Sequence, residues 1–317
     1  MSSGEQAKGS WVSIVVGCCG RRRTKKDTEN QPLAQPAAGN TITTSPVANT
    51  SNVENADAHE EVTADGDKWH VPGVGRFANR AVYTFEGHSL PEGLEKSNYT
   101  VFCGNSNDIP FHRRFDSANV RCSRGFLRLV VPGGQRPSKQ NGNAVSSAEV
   151  TTVEKNILHG SFRTTAIFSA EPGTCHGIFF YKSDTQECDI EYLTDPTSLS
   201  NNGPDAPIPL WYTNQAVDPT KLDKSSESGP APSDCTIHAH EYRIDWTVDF
   251  TAFYIDGVFQ TNFTNNIPNV PGSFVWNNWA NGDKGWAVGP PNRENVLKIQ
   301  KIVMYYDTAS NESGDSG

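Results

Sequence analysis

The chain has 317 residues, 35% of them hydrophobic and 10% aromatic, with 20 Pro, 27 Gly and a formal net charge of −9. The basic side chains cluster only within residues 21–26, so the chain lacks the electrostatic footprint of a nucleic-acid-binding surface, and nucleic acid is not an expected partner. Frequent Gly and Pro without a sustained 3.6-residue apolar period argue against a helical bundle and for one large all-β domain.

Residues 1–68 read as a polar leader. From Asp27 to Asp67 the chain is poor in aromatics and rich in Thr, Ser, Asn, Ala and acids, too polar to bury a core, so a disordered linker is expected. Trp11–Val16 is apolar but far shorter than the ~20 residues of a membrane-spanning helix, and no basic segment precedes it as in a conventional signal peptide. Cys18 and Cys19, followed by Arg21, Arg22, Arg23, Lys25 and Lys26, leave three readings open: an acylated polybasic membrane anchor, a disordered basic segment, or an incorrectly placed start. The globular domain is expected over 69–309, with a disordered tail at 310–317.

From Val82 to Tyr306, short alternating segments recur between turn residues, as in a two-sheet sandwich. Leu127–Val131 reads as a strand closed by a Gly133-Gly134 turn, which no helix follows as a phosphate loop would require. Gly177–Tyr181 is an apolar strand, and the turn signal Ser183-Asp184 connects it to a run of acids, predicting a hairpin at a cleft. Pro196 to Ser233 is rich in Pro, Ser, Asp and Gly and reads as loops bordering that cleft plus one strand around Leu210-Trp211-Tyr212. Cys103, Cys122, Cys175, Cys188 and Cys235 are an odd set within the domain. Cys103 and Cys122 flank a loop of moderate length and are the preferred disulfide, although sequence alone does not fix the pairing. His238 and His240 share a strand face without a third ligand at a recognisable spacing, so no metal is expected; no motif calls for a cofactor, and no nucleophile-elbow sequence is present. Sequons at Asn98 and Asn262 are compatible with secretion.

The most informative residues are Glu187-Cys188-Asp189-Ile190-Glu191. On a strand, alternate side chains share a face, so the three acids line one surface while Cys188 and Ile190 enter the apolar layer beneath. An acidic alternating strand can also be a plain solvent face, but three like charges without an intervening base cost stability and call for a reason. Glu187 and Glu191 have Cα atoms roughly 13 Å apart at ~3.3 Å per residue, and side chains leaning together close the gap to roughly 5 Å. That is the separation of the carboxyl pair in retaining glycoside hydrolysis. Further along, Trp276, Trp279 and Trp286 alternate with Asn277, Asn278 and Asn281, a composition suited to stacking sugar rings and bonding their hydroxyls, though any one Trp could instead fill the core.

The E-x-D-x-E strand resembles that of glycoside hydrolase family 16. Further blocks share the resemblance: Ser147-Ala148-Glu149, Gly160–Arg163, Gly173-Thr174-Cys175 onward, His240–Trp246, Phe253–Gly257, and Asn278–Gly282 with Gly285-Trp286 and Gly289-Pro290-Pro291, the last like fungal members. Cys188 departs from the family, where an aliphatic residue is usual. The resemblance covers about residues 70–308 and implies an all-β jelly-roll sandwich of the concanavalin A type. It implies a retaining endo-β-glucanase acting on β-1,3 or β-1,3/1,4 linkages, with Glu187 as nucleophile, Glu191 as acid and base, and Asp189 tuning both. A wall-remodelling transglycosylase would need the same acids, whereas a binding-only lectin would not. Trp279, Trp276, Trp286, Asn278, Tyr181 and Trp211 are the candidate substrate contacts, Trp246 being assigned to the core. A monomer acting on a polysaccharide outside the cell or in the cell wall is the resulting expectation.

Overall fold

The computed structural model describes residues 61–312 apart from 104, 105 and 222. The apolar run at 11–16, Cys18, Cys19, the basic cluster and the rest of the leader to residue 60 lie outside the described residues, as do residues 313–317.

Two large sheets hold most of the strand residues among those described. The first has nine strands in the spatial order Ser225–Pro230, Pro209–Asn214, Gln186–Leu193, Cys175–Ser183, Ser273–Trp279, Ala144–Thr152, His112–Phe115 and Tyr99–Val101, with Leu94–Lys96 also pairing to Ala144–Thr152. The second has eight, built around the long strand Asn295–Thr308, which pairs with Ile157–Ile167, Phe126–Val131 and Asn79–Thr84. Ile178, Phe180, Cys188, Ile190 and Trp276 from the first sheet meet Phe162, Tyr242, Ile244, Phe253 and Leu297 from the second in one buried core. The all-β sandwich is therefore closed by the alternation that a half-apolar strand dictates. Trp246 is fully buried, its indole nitrogen donating to the Pro268 carbonyl at 2.9 Å, in the core position expected of it.

Four features differ from the sequence reading. The folded region begins before residue 69: Thr63–Asp65 pairs with Lys68–Val71, Asp65 meets Arg76 at 2.9 Å, and Val71 and Phe77 pack on Tyr305. All three residues of that first strand are exposed, so it carries no apolar alternation to reveal it. At the other end, Ala309–Glu312 is helical where a tail was expected from 310. The interval 196–233 holds a second strand, Ser225–Pro230, a polar edge strand that again lacks alternation. Finally, all five cysteines among the described residues are free thiols. Cys122 lies in the inter-sheet core, whereas Cys103 packs against a separate cluster around Trp279 and bonds its own loop at the Val101 carbonyl, so the expected Cys103–Cys122 bridge does not form.

His238 is an exposed turn residue, and His240, the first residue of the strand His240–Trp246, takes the cross-strand role. Asp234 bonds His238 Nδ1 at 3.1 Å and His240 Nε2 at 3.0 Å, and Asp256 bonds His240 Nδ1 at 2.6 Å. Among the described residues, no group of three or more His, Cys, Asp or Glu side chains is arranged to hold a metal ion, and no helix is long and apolar enough to cross a membrane.

Candidate active site

The acid strand Gln186–Leu193 lies inside the first sheet, paired on both sides, and every residue in it is buried. Its register with Cys175–Ser183 runs without a break from Gly177 opposite Glu191 to Tyr181 opposite Glu187, so the motif is the regular, unbulged form. Cys188 and Ile190 enter the inter-sheet core, and Glu187, Asp189 and Glu191 line a pocket on the opposite face with Tyr181, Phe179 and Trp279. Period-two alternation thus produces the shared acidic face.

Cross-strand register builds the floor of this pocket. One row runs Glu149, Asn277, Gly177, Glu191 and Trp211, and the next runs Thr151, Val275, Phe179, Asp189 and Thr213. Gly177 is the open centre of the first row. A Cβ there would lie 2.6 Å from Asn277 Oδ1, so only hydrogen keeps the space between Asn277 and Glu191 clear.

Burial governs the electrostatics. Desolvation raises the Glu191 carboxyl above the ordinary glutamate range, against the stabilising hydrogen bonds of Cys175 and Trp286 and the positive charges of Lys224 and Arg113. Asp189 is pushed well above the usual carboxylate range, first by burial and then by the charges of Glu191 and Glu187, with Gln215 Nε2 at 3.4 Å from Oδ2. Burial and the neighbouring carboxylates thus both act to favour the protonated form of Asp189.

Glu149, Arg113 and Tyr99 also line the pocket, none of them among the expected site residues. Glu149 lies across the floor and accepts from Ser97 Oγ at 2.7 Å, Tyr99 Oη at 2.8 Å and Asn277 Nδ2 at 3.3 Å; burial nevertheless raises its carboxyl. Arg113 is buried with its guanidinium 4.3 Å from the centre of the Trp279 ring, a cation–π contact that holds both groups in the wall. Tyr99, at the rim, is held by its bond to Glu149 and by edge-on packing against Phe115 at 5.3 Å. A buried Glu in the strand Ala144–Thr152 and consecutive arginines in His112–Phe115 were the visible signals.

The expected aromatic and amide contacts divide by strand parity. Trp279 and Tyr181 line the pocket, the latter donating to Asp184 Oδ1 at 3.0 Å. Trp286 donates its indole N–H to Glu191 Oε1 at 3.2 Å, and its ring meets Trp211 at 5.6 Å. Trp276 does not reach the pocket: it fills the inter-sheet core and donates to Thr164 Oγ1 at 2.9 Å. Asn278 also faces inward, its amide donating to the carbonyls of Leu129 at 2.9 Å and Asn295 at 3.2 Å. On Ser273–Trp279 the residues 275, 277 and 279 share the pocket face, which sends 276 and 278 to the other.

Comparison with known proteins places this geometry. The chain is 26% identical over 199 residues to a β-glucanase of Paenibacillus polymyxa, a match covering 62% of this chain and 66% of that protein, just under two thirds of its length. The fold is shared with a Bacillus licheniformis β-glucanase at a TM-score of 0.54 and 19% identity, over 72% of this chain and 98% of that one. It is shared too with an endo-β-1,3-glucanase of Pyrococcus furiosus at a TM-score of 0.57 and 13% identity, over 77% of this chain and 99% of that one. The family model "Glycosyl hydrolases family 16" matches residues 134–290, so that span, which contains the acid strand and the floor beside it, belongs to that family.

Proposed function

We propose that the chain is a retaining, endo-acting β-glucan hydrolase that cleaves β-1,3 or mixed β-1,3/1,4 linkages. The observation that carries this reading is the unbroken register of Glu187 through Glu191, which puts two glutamates on one pocket face with an aspartate between them. In the proposed first step, Glu191 delivers its proton to the glycosidic oxygen while a Glu187 carboxylate oxygen attacks the anomeric carbon, giving a glycosyl–Glu187 ester and a free aglycone. In the second, Glu191, now ionised, takes a proton from water as the water oxygen attacks the same carbon and Glu187 leaves. The upward shift of the Glu191 carboxyl suits this exchange, because it favours the protonated form that donates in the first half and makes the ionised form a stronger base in the second. When protonated, the form its surroundings favour, Asp189 can donate a hydrogen bond to a flanking carboxylate and so stabilise the charge that Glu187 carries until attack.

Trp279 and Asn277 supply the ring-stacking and hydroxyl-bonding surfaces that a glucan needs, and the P. polymyxa and P. furiosus proteins carry names that agree with the substrate class. An extracellular or cell-wall setting, as for the fungal-type blocks of the sequence, is supported by the exposure of the sequon asparagines Asn98 and Asn262. Transfer to a second sugar in place of water is a further reading, favoured by the near-complete burial of the acids, Glu187 being 2% and Glu191 4% exposed. Reducing-sugar release from a panel of β-1,3, β-1,3/1,4 and β-1,4 glucans, with and without an added oligosaccharide acceptor, tests these readings. Release from the first two, unaltered by acceptor, is expected; longer products formed with acceptor would make the enzyme a transglycosylase. In the same assay Gly177→Ala should lower kcat/KM about 10- to 100-fold, since the added methyl displaces Asn277 and narrows the floor beside Glu191. Unchanged kinetics would remove Gly177 from the account.

A further inference from the structure

Glu191 is held by an unusual pair of donors. Cys175, the first residue of Cys175–Ser183, places its Sγ 3.1 Å from Glu191 Oε1, and the Trp286 indole nitrogen lies 3.2 Å from the same oxygen. Both contacts are buried: Cys175 is 0% and Trp286 7% exposed. In register, Cys175 stands opposite Trp279 and Leu193, two residues before the Gly177–Glu191 pair, within an apolar cluster that also includes Val101, Phe115 and Ala280. Packing alone would be served there by any small hydrophobe. The thiol instead points at a carboxylate, and burial together with the Glu191 charge pushes it well above its ordinary range, so it remains a protonated donor and not a thiolate.

We propose that Cys175 is a positioning residue for the acid and base: its thiol, together with the Trp286 indole, fixes Oε1 of Glu191, leaving Oε2 as the oxygen that carries the proton to and from substrate. This deepens the hydrolase reading and rests on it for the role of Glu191. Two donors on one oxygen do two things. They set the rotation of the carboxyl group, and they stabilise its ionised form against a dry environment that favours the neutral one. Other groups bear on the same titration: Asp189 from the acid strand, itself raised by Glu187, Arg113 from His112–Phe115, and Lys224 ahead of Ser225–Pro230. All of these stay in place when Cys175 alone is changed.

The test compares Cys175→Ala, Cys175→Val and Cys175→Ser with the parent protein. Ala and Val remove the donor, Val with volume largely kept; Ser keeps a donor with less volume. Loss of the donor should move the alkaline limb of the kcat/KM–pH profile upward and lower kcat about 3- to 10-fold, the worth of one hydrogen bond. Ser should restore the limb and most of the rate. A packing role would instead order the variants by melting temperature and leave the pH profile where it was, which would overturn the proposal. A second readout needs no turnover. The S–H stretching band of Cys175, isolated as the infrared difference between parent and Cys175→Ala, should lie at the low frequency of a thiol bonded to a carboxylate and rise in Glu191→Gln. A band indifferent to Glu191→Gln would also overturn it. Failure of the parent to cleave any glucan would count against the hydrolase reading, while the infrared result would still decide the contact.

Discussion

Glu187→Gln is expected to abolish turnover while leaving the fold intact. The substitution keeps the shape of a side chain that is only 2% exposed but removes the charge that attacks the anomeric carbon, so kcat should fall on the order of 10⁴-fold or more, as when other covalent nucleophiles are removed. The strand gains its place from Cys188 and Ile190 below and from pairing on both sides, none of which the amide disturbs. Cooperative melting at or above the parent temperature, together with loss of reducing-sugar release, is the expected combination. A Glu187→Gln variant hydrolysing glucan at parental rates would show that another residue is the nucleophile.

Asp189→Asn should have opposite effects on rate and stability. Asp189 is fully buried between two like charges, and its carboxyl is raised well above the usual range by burial and by Glu191 and Glu187. A group raised in the folded state contributes stability that is fully present below its unfolded value and is lost as pH rises through the folded value. From mildly acidic toward alkaline pH, this residue therefore makes the fold progressively less stable. The amide does not titrate, so Asn should flatten that part of the stability–pH curve and stabilise the domain by about 0.5–2 kcal/mol at neutral and alkaline pH, the usual gain when a functional site is relieved. Turnover should drop about 10²- to 10³-fold, because the proton and charge coupling between the two glutamates is lost. Melting curves and kcat across pH measure both effects. A variant less stable than the parent at alkaline pH would contradict the assignment of a raised Asp189.

The acid strand was legible because its signal is local: five residues, a period of two and an uncommon charge pattern suffice to define a face. The sandwich was legible for the same reason, repeated along the chain. What failed was parity in the tryptophan block. Trp276 and Trp279 are three apart, so on one strand they cannot share a face; Trp276 enters the core, and Asn278 goes with it. That constraint was present in the sequence, but only the placement of Asn277 opposite Glu149 and Gly177 decides which face is the pocket. Glu149 and Arg113 went unassigned because their meaning comes from partners far along the chain. His112–Phe115 joins the site only through its parallel pairing with Ala144–Thr152, a contact that no local pattern announces. Thr63–Asp65 and Ser225–Pro230 were missed because edge strands of polar residues lack the alternation by which strands are recognised.

The central claim is that Glu187 and Glu191, carried on one unbulged strand, act by double displacement. Inverting enzymes keep their carboxyl groups about 6.5–9.5 Å apart to admit a water between base and anomeric carbon, whereas the retaining pair stands about 5–5.5 Å apart and proceeds through a glycosyl–enzyme ester. Proton NMR of a β-1,3 or β-1,3/1,4 glucan digest, recorded in the first minutes before mutarotation, reads the configuration of the newly formed reducing end directly. Retention through glycosyl–Glu187 predicts β-anomer first, with α appearing only as the sugar equilibrates; α-anomer as the initial product would contradict the mechanism.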